Sequence, residues 1–249
     1  MNDNNIFYAI GDLHGNAKFL LEALEKIANE TKNTANLNVF IFFVGDFGFI
    51  FNGSEKEKSK KQVILNRYNF NYIVILGNHE NYSLIYKLKI INRYNANVYL
   101  DNEVNNLIYV INGEVLSIGD KNFWCYGGGV SVDQARREVH DMLYNEKTWW
   151  EEEIDEANFD KGINNFKSKK IDAILTHDVP LNIFNKLVYL YDCTLNKRSS
   201  LQGYFDYIYY DLNGKDSLWI AGHFHPTKIL KFDNLYILPI GKVFKLFND

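Results

Sequence analysis

Five short apolar runs stand out along the chain, and each passes directly into polar residues. The most strand-like, Val39-Phe40-Ile41-Phe42-Phe43, mixes β-branched and aromatic side chains without alternation. That is the pattern of a strand covered on both faces, as in the middle of a parallel sheet. The other four are Phe7-Tyr8-Ala9-Ile10, Tyr72-Ile73-Val74-Ile75-Leu76, Ile171-Asp172-Ala173-Ile174-Leu175 and Leu218-Trp219-Ile220. After the first, Asn16 can cap a helix whose apolar positions Phe19, Leu20, Leu24, Ile27 and Ala28 fall at helical spacing. Strand, helix and strand then form a βαβ unit. Residues 54–61 mix both signs of charge ahead of Val63, Ile64 and Leu65, which predicts a helix with a solvated face.

From residue 97 to 128 the texture changes to short alternating runs separated by Asn and Gly turns, with Asn112-Gly113 as the strongest hairpin signal. These runs predict a second, partly antiparallel sheet packed on the first. Residues 150–169 have the spacing of an amphipathic helix, residues 180–210 are rich in aromatics, and residues 217–247 read as strands with turns at Asp233-Asn234 and Gly241. No repeat, linker or low-complexity tract divides the chain, so one domain spanning 1–249 is expected, with an irregular Gly/Arg/Trp segment at about 127–155.

With 249 residues, 47% of them hydrophobic and 16% aromatic, the chain can bury a substantial core, which excludes disorder as its general state. A net charge of -4 and a pI near 5.9 give no footprint for general nucleic-acid binding or for an anionic membrane. A nuclease is therefore disfavoured. Cys125 and Cys193 lie far apart in no metal-binding spacing, so neither a disulfide framework nor a thiolate zinc site is expected. The polar start at Met1, the absence of a secretory h-region and the lack of any run of membrane-spanning length point to a cytoplasmic protein.

The polar residues that close the runs carry the chemistry. The first run leads into Gly11-Asp12-Leu13-His14, the second into Gly45-Asp46, the third into Gly77-Asn78-His79-Glu80, the fourth into Thr176-His177-Asp178 and the fifth into Gly222-His223-Phe224-His225. Ligands in α/β sheets collect at the carboxyl ends of strands, so residues distant in sequence can meet there. An aspartate at the end of a fully covered strand, as Asp46 would be, needs a cationic partner. Five of the six histidines sit at such ends and only His140 does not, so His140 reads as an ordinary surface residue. A pair of divalent metal ions is the expected counter-charge. Gly127-Gly128-Gly129 permits close backbone approach, and Arg136 or Arg137 beyond it could grip a phosphate; a surface helix salt-bridged to Asp133, Glu138 and Asp141 is the plainer alternative.

The ordered set Gly11-Asp12-Leu13-His14, Gly45-Asp46, Gly77-Asn78-His79-Glu80, His177 and Gly222-His223-Phe224-His225 resembles the signature of the calcineurin-like metallophosphoesterases. Gly127 to Asp133 with Arg137 and Trp149-Trp150 resembles a bacterial and phage subgroup of them. The resemblance implies an α/β fold, a four-layer α-β-β-α sandwich with two mixed sheets. It implies that Asp12, His14, Asp46 and His225 hold one metal, that Asp46, Asn78, His177 and His223 hold the other, and that Asp46 bridges them. Imidazole, carboxylate and amide donors suit manganese first, with iron, zinc or nickel as alternatives.

In such a site two ions activate a water that attacks phosphorus, and His79 protonates the leaving oxygen as general acid, oriented by Glu80 or Asp178. Serine/threonine protein phosphatases of the family carry an aspartate-arginine pair soon after the second motif, whereas this chain has Phe47-Gly48-Phe49-Ile50-Phe51. Arg137, or else Arg136, is the candidate substitute, and the phenylalanines could flank a base. The expected substrate is a phosphate mono- or diester that is small or nucleotide-like, with a protein phosphatase or a non-catalytic scaffold as the alternatives.

Overall fold

In the computed structural model, residues 4–34, 36–191 and 198–247 are described. Cys193 and the first three residues lie outside them; Cys125 is buried. The strands are β1 (Asn5–Ile10), β2 (Asn38–Val44), β3 (Asn71–Ile75), β4 (Lys89–Arg93), β5 (Ala96–Leu100), β6 (Leu107–Val110), β7 (Glu114–Ile118), β8 (Lys121–Tyr126), β9 (Ala173–Thr176), β10 (Leu218–Ala221), β11 (Leu230–Phe232), β12 (Leu235–Ile237) and β13 (Val243–Lys245). The helices are α1 (Ala17–Thr31), α2 (Glu55–Leu65), α3 (Tyr82–Ile85), α4 (Gln134–Tyr144), α5 (Phe159–Ser168), α6 (Leu181–Tyr191) and α7 (Ser200–Asp206).

The strands form two mixed sheets. Among the described residues, one has seven strands in the order β13-β1-β2-β3-β6-β5-β4 and the other six in the order β11-β12-β10-β9-β8-β7. The central neighbours β1, β2, β3 and β6 are parallel, and so are β8, β9, β10 and β12. Side chains that alternate along a strand go to different layers. Phe7, Ala9, Phe40, Phe42 and Val44 point between the sheets, where they meet Leu116, Phe123, Ala173, Leu175 and Ile220. Tyr8, Ile10, Ile41 and Phe43 face Leu20, Leu24, Ile27 and Ile64 of α1 and α2. On the far side, Trp124, Tyr126, Ile174 and Trp219 pack on Phe166, Ile183, Leu201 and Phe205. Three apolar layers thus separate four structural ones, the α-β-β-α sandwich expected from the sequence.

Asn16 caps α1 as expected, its side chain accepting from the Lys18 and Phe19 N–H groups at 3.0 and 3.4 Å. Phe19 itself is exposed, while Ala23 takes its place on the buried face. Three further expectations are corrected. Strands β5 and β6 join the first sheet, and the second receives β7 and β8 from this region. Asn112-Gly113 therefore closes no hairpin: it carries the chain from one sheet to the other, with the Asn112 side chain accepting from the Gly127 N–H at 2.7 Å and Gly113 at φ +79°. The hairpin signal is a local preference for positive φ, and that preference serves a crossover as well as a turn. Only the second half of residues 150–169 is α-helical, because short turns at Glu151–Glu153 and Glu156–Asn158 precede α5.

The charged helix α2 is not solvated all round. Lys61 is 1% exposed, pairing with Asp101 and, at 3.0 Å, with Glu103. Asp101 also accepts from the Tyr109 hydroxyl at 3.0 Å and the Val104 N–H at 2.9 Å. Removing one partner of a buried pair leaves the other charge stranded. Lys61→Ala is expected to lower the unfolding free energy by about 3–5 kcal/mol in urea melts, and a loss below about 1 kcal/mol would contradict that role for the pair.

Candidate active site

Loops that follow parallel strands of both sheets meet at one end of the sandwich. Asp12 follows β1, Asp46 follows β2, Asn78 and His79 follow β3, His177 follows β9, and His223 and His225 follow β10. Backbone bonds tie these loops together: the N–H groups of Leu13 and His14 donate to the Asp46 carbonyl at 3.0 and 2.7 Å, and that of Gly222 donates to the His177 carbonyl at 3.1 Å. The glycines of the motifs leave room for the ligands. A Cβ on Gly77 would run into the Asp46 carboxylate, and one on Gly222 would run into that of Asp12. Gly127 and Gly128 lie against Leu76, where the Gly128 N–H donates to the Leu76 carbonyl at 2.8 Å.

Asp12, His14, Asp46 and His225 each offer a ligand atom within 4.8 Å of the others. His225 Nε2 lies 2.7 Å from Asp12 Oδ2 and 3.0 Å from His14 Nε2, which in turn lies 3.7 Å from Asp46 Oδ2. The other oxygen of Asp46 faces a second group: Asp46 Oδ1 is 3.5 Å from His177 Nε2, which is 2.9 Å from Asn78 Oδ1. The His223 ring packs on that of His177, with centroids 4.8 Å apart. His14, Asp46, His223 and His225 all have left-handed backbones, at φ 46°, 45°, 70° and 45°. That conformation costs an ordinary residue about 1–2 kcal/mol, and such strain gathers at functional sites.

Asp12 and Asp46 are 0% and 1% exposed. Among the described residues, neither has a lysine or arginine partner; their cationic neighbours are imidazoles. Burial opposes the Asp46 charge, yet His177, His79 and His14 hold its carboxyl well below the usual range. Burial likewise opposes charging His177, but Asp46 and Asp12 push it up to about 10. Desolvation, and after it the neighbouring His177, hold the half-buried His223 well below the usual imidazole value. Two buried carboxylates facing clustered imidazole nitrogens fit metal ions, which satisfy both at once.

His79 lies at the edge of the cluster. Its backbone N–H donates to Asp46 Oδ1 at 2.9 Å, and its ring meets the His14 ring with centroids 5.3 Å apart. Burial lowers its pKa; Asp46 works against the shift, while Arg137 and His14 add to it. Neither carboxylate expected to orient it does so. Glu80 is buried and accepts from the Phe47 N–H at 2.6 Å, and burial followed by the nearness of Asp46 pushes its pKa up to about 8. Asp178 accepts from the Val179 N–H at 2.7 Å and from Gln202 at 3.1 Å.

The arginines divide. Arg136 is exposed and pairs with Asp133 at 3.2 Å on its own helix. Arg137 is buried, 7% exposed, and donates through Nη1 to Ser131 Oγ at 3.0 Å, while its Nη2 has no partner among the described residues. Ser131 and Glu153 were not singled out by the sequence, which shows a run of three glutamates and no means of choosing among them. Ser131 Oγ accepts from Asn78 Nδ2 at 3.0 Å and donates to Glu153 Oε2 at 2.5 Å. This fixes the Asn78 amide with its oxygen toward His177. Phe47 is fully buried in the core and flanks nothing; Phe49 and Phe51 line a cavity beside His14 and His79.

Buried carboxylates facing imidazoles at the strand ends of an α-β-β-α sandwich are a donor set that could hold a metal ion, and the hydrolase class follows from the family. The chain belongs to the calcineurin-like phosphoesterase family, whose model matches residues 7–227. No curated protein gives a significant match. Among the described residues, no helix is long and apolar enough to cross a membrane.

Because a Cβ at residue 77 would displace the Asp46 carboxylate, Gly77→Ala is expected to keep the far-UV spectrum while weakening Mn²⁺ binding about tenfold or more. Unchanged affinity by calorimetry would contradict the cradle.

Proposed function

We propose that this chain hydrolyses small phosphate mono- or diesters, nucleotide-like in kind, with two divalent ions and with His79 as the general acid. The observation that carries the proposal is that the two oxygens of Asp46 face two separate groups of donors, His14 with Asp12 and His225 on one side and His177 with Asn78 on the other. In this reading Asp12, His14, Asp46 and His225 hold one ion, and Asp46, Asn78, His177 and His223 hold the other. Bound there, the ions supply the positive charge that acidifies a water and neutralises phosphate oxygens. Imidazole, carboxylate and amide donors make Mn²⁺ the first choice for loading, then iron, zinc or nickel.

The chain's own side chains do the rest. The backbone N–H of His79 anchors that residue on Asp46, and His79 lines the cavity bounded by Asp46 and Asn78, where its ring can hand a proton to a leaving oxygen. Ser131 and Glu153 hold the Asn78 amide in one orientation. Buried Arg137 has an Nη2 with no partner among the described residues, and this reading assigns that donor to a phosphate oxygen, as a charge-assisted bond. Arg136, turned outward onto Asp133, takes no part.

His79→Asn protein loaded with Mn²⁺ is expected to keep wild-type metal content. It should lose about 10²- to 10⁴-fold in turnover of phenyl phosphate and much less with 2,4-dinitrophenyl phosphate, whose leaving group needs no proton. Equal losses on both esters would remove His79 from the acid role, and no wild-type turnover of any ester would favour a binding scaffold. Arg137→Ala is expected to raise KM about tenfold for every ester, and unchanged KM and kcat would take Arg137 out of the phosphate site.

A further inference from the structure

Two cavities open beside His79. One, of about 320 Å³, is bounded by Asp46, Asn78, Asp133, His223 and His225. The other, of about 480 Å³, is bounded by His14, Phe49, Phe51, Lys56 and Lys60. We propose that the larger cavity seats the leaving alcohol of the substrate, and that Lys60, with Lys56, binds a second phosphate carried by that alcohol. The substrate would then be a bisphosphorylated molecule of the nucleoside bisphosphate kind. This rests on the phosphoesterase reading with His79 as proton donor.

A general acid must reach the leaving oxygen and protonate it as the P–O bond breaks, so the leaving group lies in one of the two spaces that His79 borders. Their charges differ. The smaller cavity is bounded by four of the proposed metal ligands, Asp46, Asn78, His223 and His225, so it takes the scissile phosphate, and it offers no lysine or arginine for a second one. The larger carries two ammonium groups and one carboxylate, Glu57, and that carboxylate is already committed. It accepts from the N–H groups of Phe51, Asn52 and Gly53 at 2.8, 3.1 and 2.8 Å, fixing the cavity wall.

Lys60 is positioned rather than loose. Its Nζ donates to the Gly15 carbonyl at 2.8 Å and lies 5.3 Å from the centroid of the Phe49 ring. An ammonium has three N–H donors, so two remain for a ligand. Among the described residues, no carboxylate pairs with Lys56 or Lys60, although Lys58 and Lys61 on the same helix are both paired. The volume is in the range of small-molecule sites, and the half-buried Phe51 offers an apolar wall for a sugar or base.

The test compares adenosine 3′-phosphate with adenosine 3′,5′-bisphosphate on Mn²⁺-loaded protein, with p-nitrophenyl phosphate as a general ester. Wild type is expected to favour the bisphosphate in kcat/KM by about tenfold or more, and Lys56→Ala/Lys60→Ala should bring that ratio to about one. A wild-type ratio near one, or a preference that survives the double substitution, overturns the second-phosphate site while leaving the hydrolase intact if p-nitrophenyl phosphate is cleaved. Calorimetry of adenosine 3′,5′-bisphosphate binding to the His79→Asn protein, with and without the two lysines, separates the two readings. Lysine-dependent binding without turnover of any ester by wild type supports the site and rejects the catalytic reading. Binding that does not depend on the lysines, or no binding, overturns the site.

Discussion

The site depends on two carboxylates, Asp12 and Asp46, held side by side at a place where water does not reach them. Burial of a charge costs several kcal/mol unless an opposite charge stands close by. The chain supplies imidazoles from loops more than two hundred residues apart, and the left-handed backbones of His14, Asp46, His223 and His225 are the local strain of bringing them in. None of this helps the chain fold. The three apolar layers of the sandwich supply the stability against which the strained, charged end is held.

The scaffold meets this demand by ending parallel strands of both sheets at the same place. The Asn112-Gly113 crossover puts β8 into the second sheet, so the glycines after it come to lie on Leu76 at the end of β3. The irregular segment that follows brings Ser131 and Glu153 behind Asn78, so one hydroxyl fixes the amide and carries the buried Arg137. On the other side, α2 is pinned through Lys61 to Asp101 and Glu103 and holds the cavity wall through Glu57. One helix thus links the core to the space in front of His14 and His79.

Much of this was legible in the sequence because it is written locally. Apolar runs of the right length marked strands β1, β2, β3, β9 and β10, and the residues closing them, His177 and Asp46 among them, carried their chemistry in their identity. What was hidden depends on partners far along the chain. The alternation of β5 and β6 suits either sheet, so their membership of the first could not be read from it. Phe47 looked like a wall for a base and is core; Arg137 could be read as a phosphate grip or as part of a surface helix, and it is buried; Lys61 sat in a charge run that hid its pairing with Asp101. In each case burial is decided by which neighbour lies above the residue, and no local pattern encodes that.

Anomalous-difference crystallography of the Mn²⁺-loaded protein tests the central claim most directly. The account expects two peaks, about 3.5–4 Å apart, on opposite oxygens of Asp46. One would lie among Asp12, His14 and His225, and the other among Asn78, His177 and His223. No peak within reach of Asp46, or a single ion that leaves Asn78 and His177 joined only to each other, would contradict it.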